Sequence, residues 1–283
     1  MQGLFFTFEG VDFCGKSTQI KRLVQRLEHQ DIPVLLVREP GGTDISEAIR
    51  EILLDTKNTS MHARTELLLY TAARAQIVAE KIVPALAASM VVICDRFIDS
   101  TTAYQGYGRE LGLAFVQKIN EFATQSLKPD ATIWIDIPLD VAEARRKQFS
   151  LKKDRLEGEA RSFRERVVAG YQMLADAEPD RIHIIDGNGP IEDVEERVGG
   201  DRQGHLVHEP NRRAVIVCWP EGLAFEVGEA GVVRVGDRGR AGARRVRRAQ
   251  VLDGLRGRHR GPSGVRRATS VPSGTARVVR ALP

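Results

Sequence analysis

The chain has 283 residues, of which 42% are hydrophobic and 28% charged, and these values are ordinary for a soluble globular protein. The length allows one large domain or one domain with an appendage. Three cysteines are too few for a disulfide framework and suit a reducing compartment, so we expect a cytoplasmic protein. No apolar stretch approaches the ~20 residues of a membrane span, and the first apolar run lacks the basic segment of a signal peptide. The composition therefore argues against a secreted, fibrous or membrane protein.

Charge is divided unevenly along the chain. Residues 1–198 hold 25 Lys and Arg against 31 Asp and Glu. Residues 199–283 hold 17 Arg, no Lys and seven Asp and Glu, together with 14 of the 26 glycines. We therefore predict a domain over 1–198 and an Arg/Gly-rich extension over 199–283, with the boundary near Gly199 and Gly200.

Five short apolar runs in the first part predict buried strands, because they are rich in Val, Ile and Phe and show little alternation. Amphipathic helical patterns such as Ile20, Leu23 and Leu27 separate them. Long crossovers between apolar strands predict a three-layer α/β fold, in which helices cover both faces of a five-stranded parallel sheet. Ligands bind such sheets at the carboxyl ends of the strands. The predicted strands cover residues 4–8, 34–37, 91–94, 132–135 and 182–185.

A phosphate-binding motif follows the first predicted strand. Residues 10–17 fit the pattern Gly-x4-Gly-Lys-Ser/Thr, and a helical pattern comes next. Glycines let the backbone N–H groups turn inward around phosphate oxygens, and the next helix presents its positive end to the anion. The Lys16 side chain can reach the β- and γ-phosphates, and the Ser17 hydroxyl can bind Mg2+. The predicted ATP-binding residues are Gly10, Val11, Asp12, Phe13, Cys14, Gly15, Lys16, Ser17 and Thr18.

Two further pairs have chemistry that suits a nucleotide site. Asp95 and Arg96 follow the third predicted strand; the carboxylate can hold Mg2+ through water, and the guanidinium can grip a phosphate. A capping aspartate with a surface arginine is the alternative. Tyr70 and Arg74 lie four residues apart on a predicted helix, so they share a face that could bind a base. A core tyrosine with a surface arginine is the simpler explanation of that pair taken alone.

Residues 145–166 form a basic segment with nine Lys and Arg, and no strand pattern fits it. Apolar residues from Phe163 onward predict a helix that begins near Gly158. Taken alone, the basic segment could be a solvated surface.

Several sequence blocks together resemble bacterial thymidylate kinases, with matching order and spacing over residues 3–198. The Arg-Glu-Pro-Gly-Gly-Thr block at 38–43 and the Asp-Arg…Ala-Tyr-Gln-Gly block at 95–106 are much more specific to this family than the phosphate loop is. Residues 8–12, 66–76, 136–138 and 154–157 match as well. The resemblance implies a P-loop NTPase fold and transfer of the γ-phosphoryl group of ATP to dTMP, with Mg2+, which gives dTDP and ADP.

The resemblance also implies roles for individual residues. Tyr70 would stack on thymine, Arg74 would hydrogen-bond its edge, and Thr101 would face the base N3–H with Gln105 nearby. Arg38 and Arg96 would hold or order the acceptor phosphate, Asp12 would contact the sugar or the Mg2+ shell, and Tyr104 would crowd the ribose 2′ position. The implied dTMP-binding residues are Asp12, Arg38, Tyr70, Arg74, Arg96, Thr101, Tyr104 and Gln105, and the implied metal-binding residues are Ser17 and Asp95.

In this family the basic segment is a lid over ATP, and a catalytic arginine lies either in the phosphate loop or in the lid. Phe13 occupies the loop position here, so the resemblance implies the lid type, with Arg155 as the leading candidate. The implied catalytic residues are Lys16, Arg96 and Arg155. Phe13 and Cys14 stand where small residues are common, and Phe13 would either crowd the loop or point to solvent.

Two other functions remain open. A deoxynucleoside kinase would need a carboxylate base beside a 5′-hydroxyl, a role for which Glu9 is a candidate. A P-loop switch or nucleic-acid-binding protein would use the Arg-rich extension as a binding arm, although the Asn-Lys-x-Asp motif of GTPases is absent from the sequence.

The extension itself has three interpretations: a nucleic-acid-binding tail, a small separate domain, or the frame-shifted translation of a GC-rich gene. Arginine without lysine favours the third. We expect an irregular, largely disordered tail with only weak, nonspecific contact to nucleic acid, and local strands at 215–217 and 232–235. The family resemblance implies a homodimer, and we expect neither a membrane nor a specific nucleic acid as partner.

Overall fold

The computed structural model describes residues 3–149, 155–156 and 159–199, together with three short strands between residues 217 and 237. All of them belong to the compact unit Met1–Gly242, and the second unit, Ala243–Pro283, lies outside the described residues. None of the helices in the described part of the chain is long and apolar enough to cross a membrane.

Five parallel strands form the central sheet in the order β2-β3-β1-β4-β5, which confirms the predicted α/β architecture. Each strand contains the apolar run predicted for it and continues one residue further at its carboxyl end. That added residue is charged in all five strands. The strands are β1 (Leu4–Glu9), β2 (Val34–Arg38), β3 (Val91–Asp95), β4 (Ala131–Asp136) and β5 (Ile182–Asp186).

Nine α-helices belong to the described part of this domain. A π-helical segment, Val78–Ile82, joins α3 to α4, and a second, Thr102–Gly108, continues α5. The helix predicted from Gly158 begins at Arg161. The helices are α1 (Lys16–Glu28), α2 (Asp44–Leu54), α3 (Ala63–Ile77), α4 (Val83–Ala87), α5 (Ile98–Thr101), α6 (Leu113–Thr124), α7 (Leu139–Phe149), α8 (Arg161–Ala177) and α9 (Ile191–Gly199).

Side chains that alternate along β1 supply two separate cores, one on each face of the sheet. Phe6 and Phe8 pack in one core with Ile20 and other residues of α1 and α9. Phe5 packs in the other core with Ile77 and with residues of the π-helical segment and α4. Helices therefore cover both faces of the sheet. Side chains can contact a ligand at the end of the sheet that is formed by the carboxyl ends of the strands.

The described part of the extension is a small antiparallel sheet. Its strands are β6 (Val217–Cys218), β7 (Leu223–Val227) and β8 (Val233–Asp237), in the order β6-β7-β8. The sequence predicts local strands at 215–217 and 232–235 in an otherwise irregular extension. β8 overlaps the second prediction, β6 shares only Val217 with the first, whose other residues lie outside the described part, and β7 is additional. The remaining residues of the extension lie outside the described part of the chain.

Candidate active site

The phosphate-binding motif connects β1 to α1 as predicted. Gly10 and Gly15 have φ values of 134° and 105°, which side-chain-bearing residues rarely adopt. A Cβ atom at Gly10 would lie 2.4 Å from the carbonyl oxygen of Ile135, so the loop also requires glycine there for close packing. Because α1 begins at Lys16, its positive end faces the loop.

Lys16 is folded onto this loop. Its Nζ donates to the carbonyl oxygens of Gly10 and Val11, each at 3.0 Å, and only 7% of the residue is exposed. The Cys14 thiol is buried and lies 3.7 Å from the same ammonium group. The ammonium charge is therefore fixed at the concave side of the loop, where phosphate oxygens would lie.

Phe13 lies at the left-handed position of the loop, with φ 64°. Its side chain is half-buried and lines a cavity between the loop and helices α7 and α8, together with Leu139 and Phe163. The Arg145 side chain of α7 donates to the carbonyl oxygens of Phe13 and Cys14 at 3.4 and 3.2 Å. Arg145 therefore contacts the phosphate loop from α7. No sequence motif indicated this contact.

Ser17 and Asp95, the two implied metal-binding residues, are brought together from α1 and the end of β3. The Ser17 hydroxyl donates to the Asp95 carboxylate at 3.2 Å. Hydroxyl and carboxylate oxygens are hard ligands of the kind that Mg2+ takes, with waters and substrate phosphates as its other ligands. The described residues contain no cluster of three or more His, Cys, Asp or Glu that could hold a metal by itself.

Arg96 points toward the phosphate loop rather than toward the surface. Its guanidinium donates to the carbonyl oxygen of Gly10 at 3.0 Å, lies 2.5 Å from the Asp12 carboxylate and sits over the Tyr104 ring at 5.2 Å. Although burial raises the pKa of Asp12, the nearby charges of Arg96 and Lys16 bring it below its ordinary value. Arg96 and Asp12 therefore stand as a charged pair between the loop and the neighbouring cavity.

Glu9 holds the bend from which Arg96 projects. Arg96 has φ 72°, and the next residue, Phe97, donates its backbone N–H to the Glu9 carboxylate at 2.7 Å. The other Glu9 oxygen accepts from Ser100 at 2.5 Å and Tyr171 at 2.9 Å. Burial, followed by the charge of Asp99, raises the pKa of Glu9 to about 7. Since Glu9 is fully buried and both of its oxygens are occupied, its geometry does not fit the accessible base of a deoxynucleoside kinase.

A second cavity adjoins the phosphate loop. Helices α2, α3 and α5 and the π-helical segment after α5 all contribute to its lining, and it contains seven of the eight implied dTMP-binding residues. Arg38 is the exception, because it forms a half-exposed ion pair with Glu47 at 3.0 Å. Arg50 lines the cavity but was not identified from the sequence. The seven are Asp12, Tyr70, Arg74, Arg96, Thr101, Tyr104 and Gln105.

Arg74 is a buried arginine, which overturns the alternative of a surface arginine. It is 1% exposed, and its Nη1 donates to Thr101 at 2.9 Å and to Asn120 at 2.8 Å. Its Nε donates to Glu39 at 2.7 Å, and its Nη2 donates to the backbone carbonyl oxygen of Phe97. Arg74 therefore fixes the Thr101 hydroxyl at the cavity wall.

Glu39, the buried ion-pair partner of Arg74, also lines the acceptor cavity. Burial raises the pKa of Glu39 to about 7, although Arg74 opposes the change. Its Oε1 has no hydrogen-bond partner among the described residues. The Glu39–Arg74 ion pair therefore forms part of the cavity lining.

Arg155 lies against the acceptor side of the site. Its Nη1 is 2.6 Å from the Glu66 carboxylate, and its Nε donates to the backbone carbonyl oxygen of Leu53 at 2.9 Å. The neighbouring basic residues Lys152 and Lys153 lie outside the described residues. The catalytic role of Arg155 stays a prediction.

A parallel sheet with a glycine-rich loop at the end of its central strand, and a second polar cavity beside that loop, is the arrangement of a P-loop nucleotide kinase. The family model for thymidylate kinase matches residues 8–198. The chain is 50% identical to a thymidylate kinase of Latilactobacillus sakei over 196 residues, which are 69% of this chain and 92% of the relative. It is 45% identical to that of Bacillus pumilus (70% and 94% covered) and 48% identical to that of Geobacter sulfurreducens (67% and 92% covered). The chain belongs to the thymidylate kinase family.

Proposed function

We propose that this protein transfers the γ-phosphoryl group of ATP to dTMP, which gives dTDP and ADP for dTTP biosynthesis. One observation carries the proposal: the phosphate loop opens beside a cavity that collects seven implied acceptor residues from five places in the chain, namely the loop itself, α3, the turn after β3, α5 and the π-helical segment after α5. Tyr70, Tyr104 and Arg96, to which the resemblance gives base-stacking, deoxyribose and phosphate contacts, all line this cavity, and their proximity supports the proposal.

The residues divide into a donor side and an acceptor side. The loop backbone and Lys16 hold the β- and γ-phosphates of ATP, while Tyr70 and Thr101 hold the base of dTMP. Arg96 stands between the two, where the acceptor phosphate meets the transferring group. The acceptor oxygen is already anionic, so positioning and charge neutralisation supply the catalysis and no general base is needed.

Mg2+ is the metal that this site fits. The Ser17 hydroxyl and the Asp95 carboxylate would hold it, one as a direct ligand and the other through water. When bound, Mg2+ neutralises charge on the donor phosphates. Lys16 and Arg96 supply the remaining positive charge from the protein.

Release of ADP from purified protein with ATP, Mg2+ and each nucleoside monophosphate in turn tests the proposal. We expect dTMP to be the best acceptor, and dUMP to be discriminated by only ~1–3 kcal/mol because it lacks one methyl group. Purine monophosphates should be rejected. Faster turnover of AMP or CMP than of dTMP would refute the base assignment, and phosphorylation of thymidine in place of dTMP would favour the deoxynucleoside kinase.

We also propose a homodimer formed through α3 and α6. Leu68, Phe115 and Phe122 are 54%, 59% and 84% exposed on these two helices, and apolar side chains in such numbers on adjoining helices mark an interaction surface. Phe122→Glu should give a monomer by light scattering. Met173→Glu, at a 54% exposed residue of α8, is the matched control and should leave the dimer intact. A wild-type monomer at micromolar concentration contradicts this proposal.

Cys14 and Cys94 are buried free thiols. Unpaired thiols support the expectation of a reducing, cytoplasmic compartment. The Arg-rich extension would add only weak, nonspecific contact to nucleic acid, and a dTMP kinase requires none.

A further inference from the structure

Glu66 is a fully buried carboxylate of α3 that no part of the proposed chemistry uses. One oxygen accepts from Gln105 Nε2 at 2.9 Å and from Arg109 Nε at 3.1 Å. The other accepts from Arg109 Nη2 at 2.9 Å and lies 2.6 Å from Arg155 Nη1. Four donor groups from three residues therefore converge on a side chain with no exposed surface.

These partners keep Glu66 ionised. Burial raises the pKa of the Glu66 carboxyl, but the hydrogen bonds from Arg109 and Gln105 and the charges of Arg109 and Arg155 outweigh it, so the pKa lies below its ordinary value. An ionised carboxylate can only accept hydrogen bonds. Gln105 must therefore turn its NH2 group toward Glu66, because the opposite orientation would place two acceptors face to face.

The fixed amide belongs to the acceptor cavity. Gln105 is 2% exposed and lines this cavity with Tyr70 and Thr101. With the NH2 group held by Glu66, the amide oxygen is the polar atom of the Gln105 side chain that can accept from a ligand.

The amide orientation matters because pyrimidines differ at N3. Thymine carries an N3–H donor, which the resemblance places facing Thr101 with Gln105 nearby and which the Gln105 amide oxygen can also accept. Cytosine has a bare N3 acceptor, which would need an NH2 group. Sites that hydrogen-bond one substrate reject an analogue with mismatched polar atoms, because buried groups are then left unpaired. An amide that cannot rotate therefore selects thymine over cytosine.

We propose that Glu66 is a positioning residue for base selectivity: it holds the Gln105 amide with its oxygen toward the base and so favours dTMP over dCMP. The inference rests on the proposed acceptor site, and it gives a role to a residue that does not touch the substrate.

The test is the ratio of kcat/KM for dTMP to that for dCMP. In Glu66→Gln the new amide can donate or accept a hydrogen bond, so Gln105 can turn either its amide oxygen or its NH2 group toward the base. The ratio should fall by about tenfold or more, because one buried hydrogen bond to the base is no longer specified. Arg109→Gln is the matched control: it removes an ion-pair partner of Glu66 but leaves the carboxylate facing Gln105. Its ratio should stay within about twofold of wild type even if both rates decline.

If Glu66 had a purely structural role, both variants would lower kcat/KM for dTMP and for dCMP by the same factor. The proposal is therefore overturned if the ratio is unchanged in Glu66→Gln, or if it falls as much in Arg109→Gln as in Glu66→Gln. If Glu66→Gln is not recovered as folded protein, two other variants decide. Glu66→Asp keeps an acceptor-only group and should retain the ratio, and Gln105→Leu should lose it; a retained ratio in Gln105→Leu also overturns the proposal. Dissociation constants for dTMP and dCMP give the same ratio without turnover, so failure of the kinase assay is distinguishable from failure of this inference.

Discussion

The guanidinium of Arg155 lies 2.6 Å from the carboxylate of Glu66, so the candidate lid arginine is anchored to the helix that also supplies Tyr70 and Arg74. Its second contact, to the carbonyl oxygen of Leu53, is to the end of α2 on the same side of the site. The resemblance places Arg155 in the lid over ATP, but its contacts are to α2 and α3, which line the dTMP cavity. These contacts connect the ATP side of the site to the dTMP side.

Arg155→Ala should lower kcat by about a hundredfold or more, with ATP affinity nearly unchanged, because a charge that meets the transferring phosphoryl group stabilises the transition state more than the bound nucleotide. Steady-state kinetics with varied ATP separates the two effects. Arg161→Ala removes a basic residue whose partners are the exposed Asp140 and Glu165, and it should behave as wild type. A normal kcat for Arg155→Ala would move the role to a neighbour such as Lys152 or Lys153.

Lys16→Ala should reduce turnover by about a thousandfold or more, because it removes the charge held over the phosphate loop. The fold should persist, since the loop backbone is set by Gly10 and Gly15 rather than by the ammonium group. Lys21→Ala, at an exposed residue of the same helix, is the control and should keep full activity. Turnover of Lys16→Ala near the wild-type rate would remove the basis for the phosphate-loop assignment.

Phe13 allows a test of backbone strain. Because its φ is 64°, any residue with a Cβ atom is strained there and glycine is not. Phe13→Ala and Phe13→Gly lose the same ring contacts, so the comparison isolates the backbone. We expect Phe13→Gly to be more stable than Phe13→Ala by about 1 kcal/mol in urea denaturation. Equal stability, or a more stable alanine variant, would show that the loop relaxes away from this conformation.

The raised pKa of Glu9 predicts a pH-dependent stability. The pKa is about 7 in the folded protein because of burial and Asp99, and about 4.3 in an unfolded chain. Between these values the folded state holds a proton that the unfolded state has released, so the stability contributed by this group falls as the pH rises and becomes constant above pH 7.

Glu9→Gln cannot titrate and should remove this dependence. The free energy of unfolding of wild type relative to Glu9→Gln should therefore fall by more than about 1 kcal/mol between pH 5 and pH 8. Glu28→Gln, at an exposed residue at the end of α1, serves as the control and should show no such change. A difference between wild type and Glu9→Gln that is constant with pH would mean that Glu9 titrates alike in both states.

Removal of residues 200–283 should leave dTMP kinase activity within about tenfold of the full chain, a barrier change below ~1.4 kcal/mol. Every residue to which the resemblance assigns a catalytic, substrate-binding or metal-binding role precedes α8, and α9 extends to Gly199. The shortened chain should lose some stability at most. A shortened chain that folds without activity would show that the extension is a functional domain and not a frame-shift product.

Local patterns in the sequence predicted all five strands, because a strand buried on both faces is a short, continuous apolar run. The repeat of Ile45, Ala48, Ile49 and Ile52 also predicts a helix, which is α2, but not the face of it that is buried. Ile45 and Ile52 of its apolar stripe are 55% and 48% exposed, while Ser46 and Leu53 are buried. A periodic apolar pattern indicates a helix, but the elements that pack against the helix determine which of its faces is buried.

The same distinction applies to the candidate site, where local patterns predict some residues and contacts between distant residues determine others. The phosphate loop was predictable because its chemistry lies in eight consecutive residues. The burial of Arg74 was not, since it depends on Glu39 and Asn120, which are 35 and 46 residues away in the chain. Glu66 begins a block that resembles the family and Arg145 begins the basic segment, but neither pattern indicates what these side chains contact, because only the fold creates those contacts.

Four of the five strands end on an acidic residue, namely Glu9, Asp95, Asp136 and Asp186, and one ends on Arg38. The rim of the sheet on which two polyanionic substrates must meet is therefore itself anionic. Apart from Arg38, the cations that offset this repulsion in the described site come from loops and helices, and they include Lys16, Arg50, Arg96 and Arg145. Substrate affinity in this enzyme is thus controlled by the parts of the chain around the sheet, and it should weaken steeply with rising ionic strength even while the sheet and its stability stay unchanged.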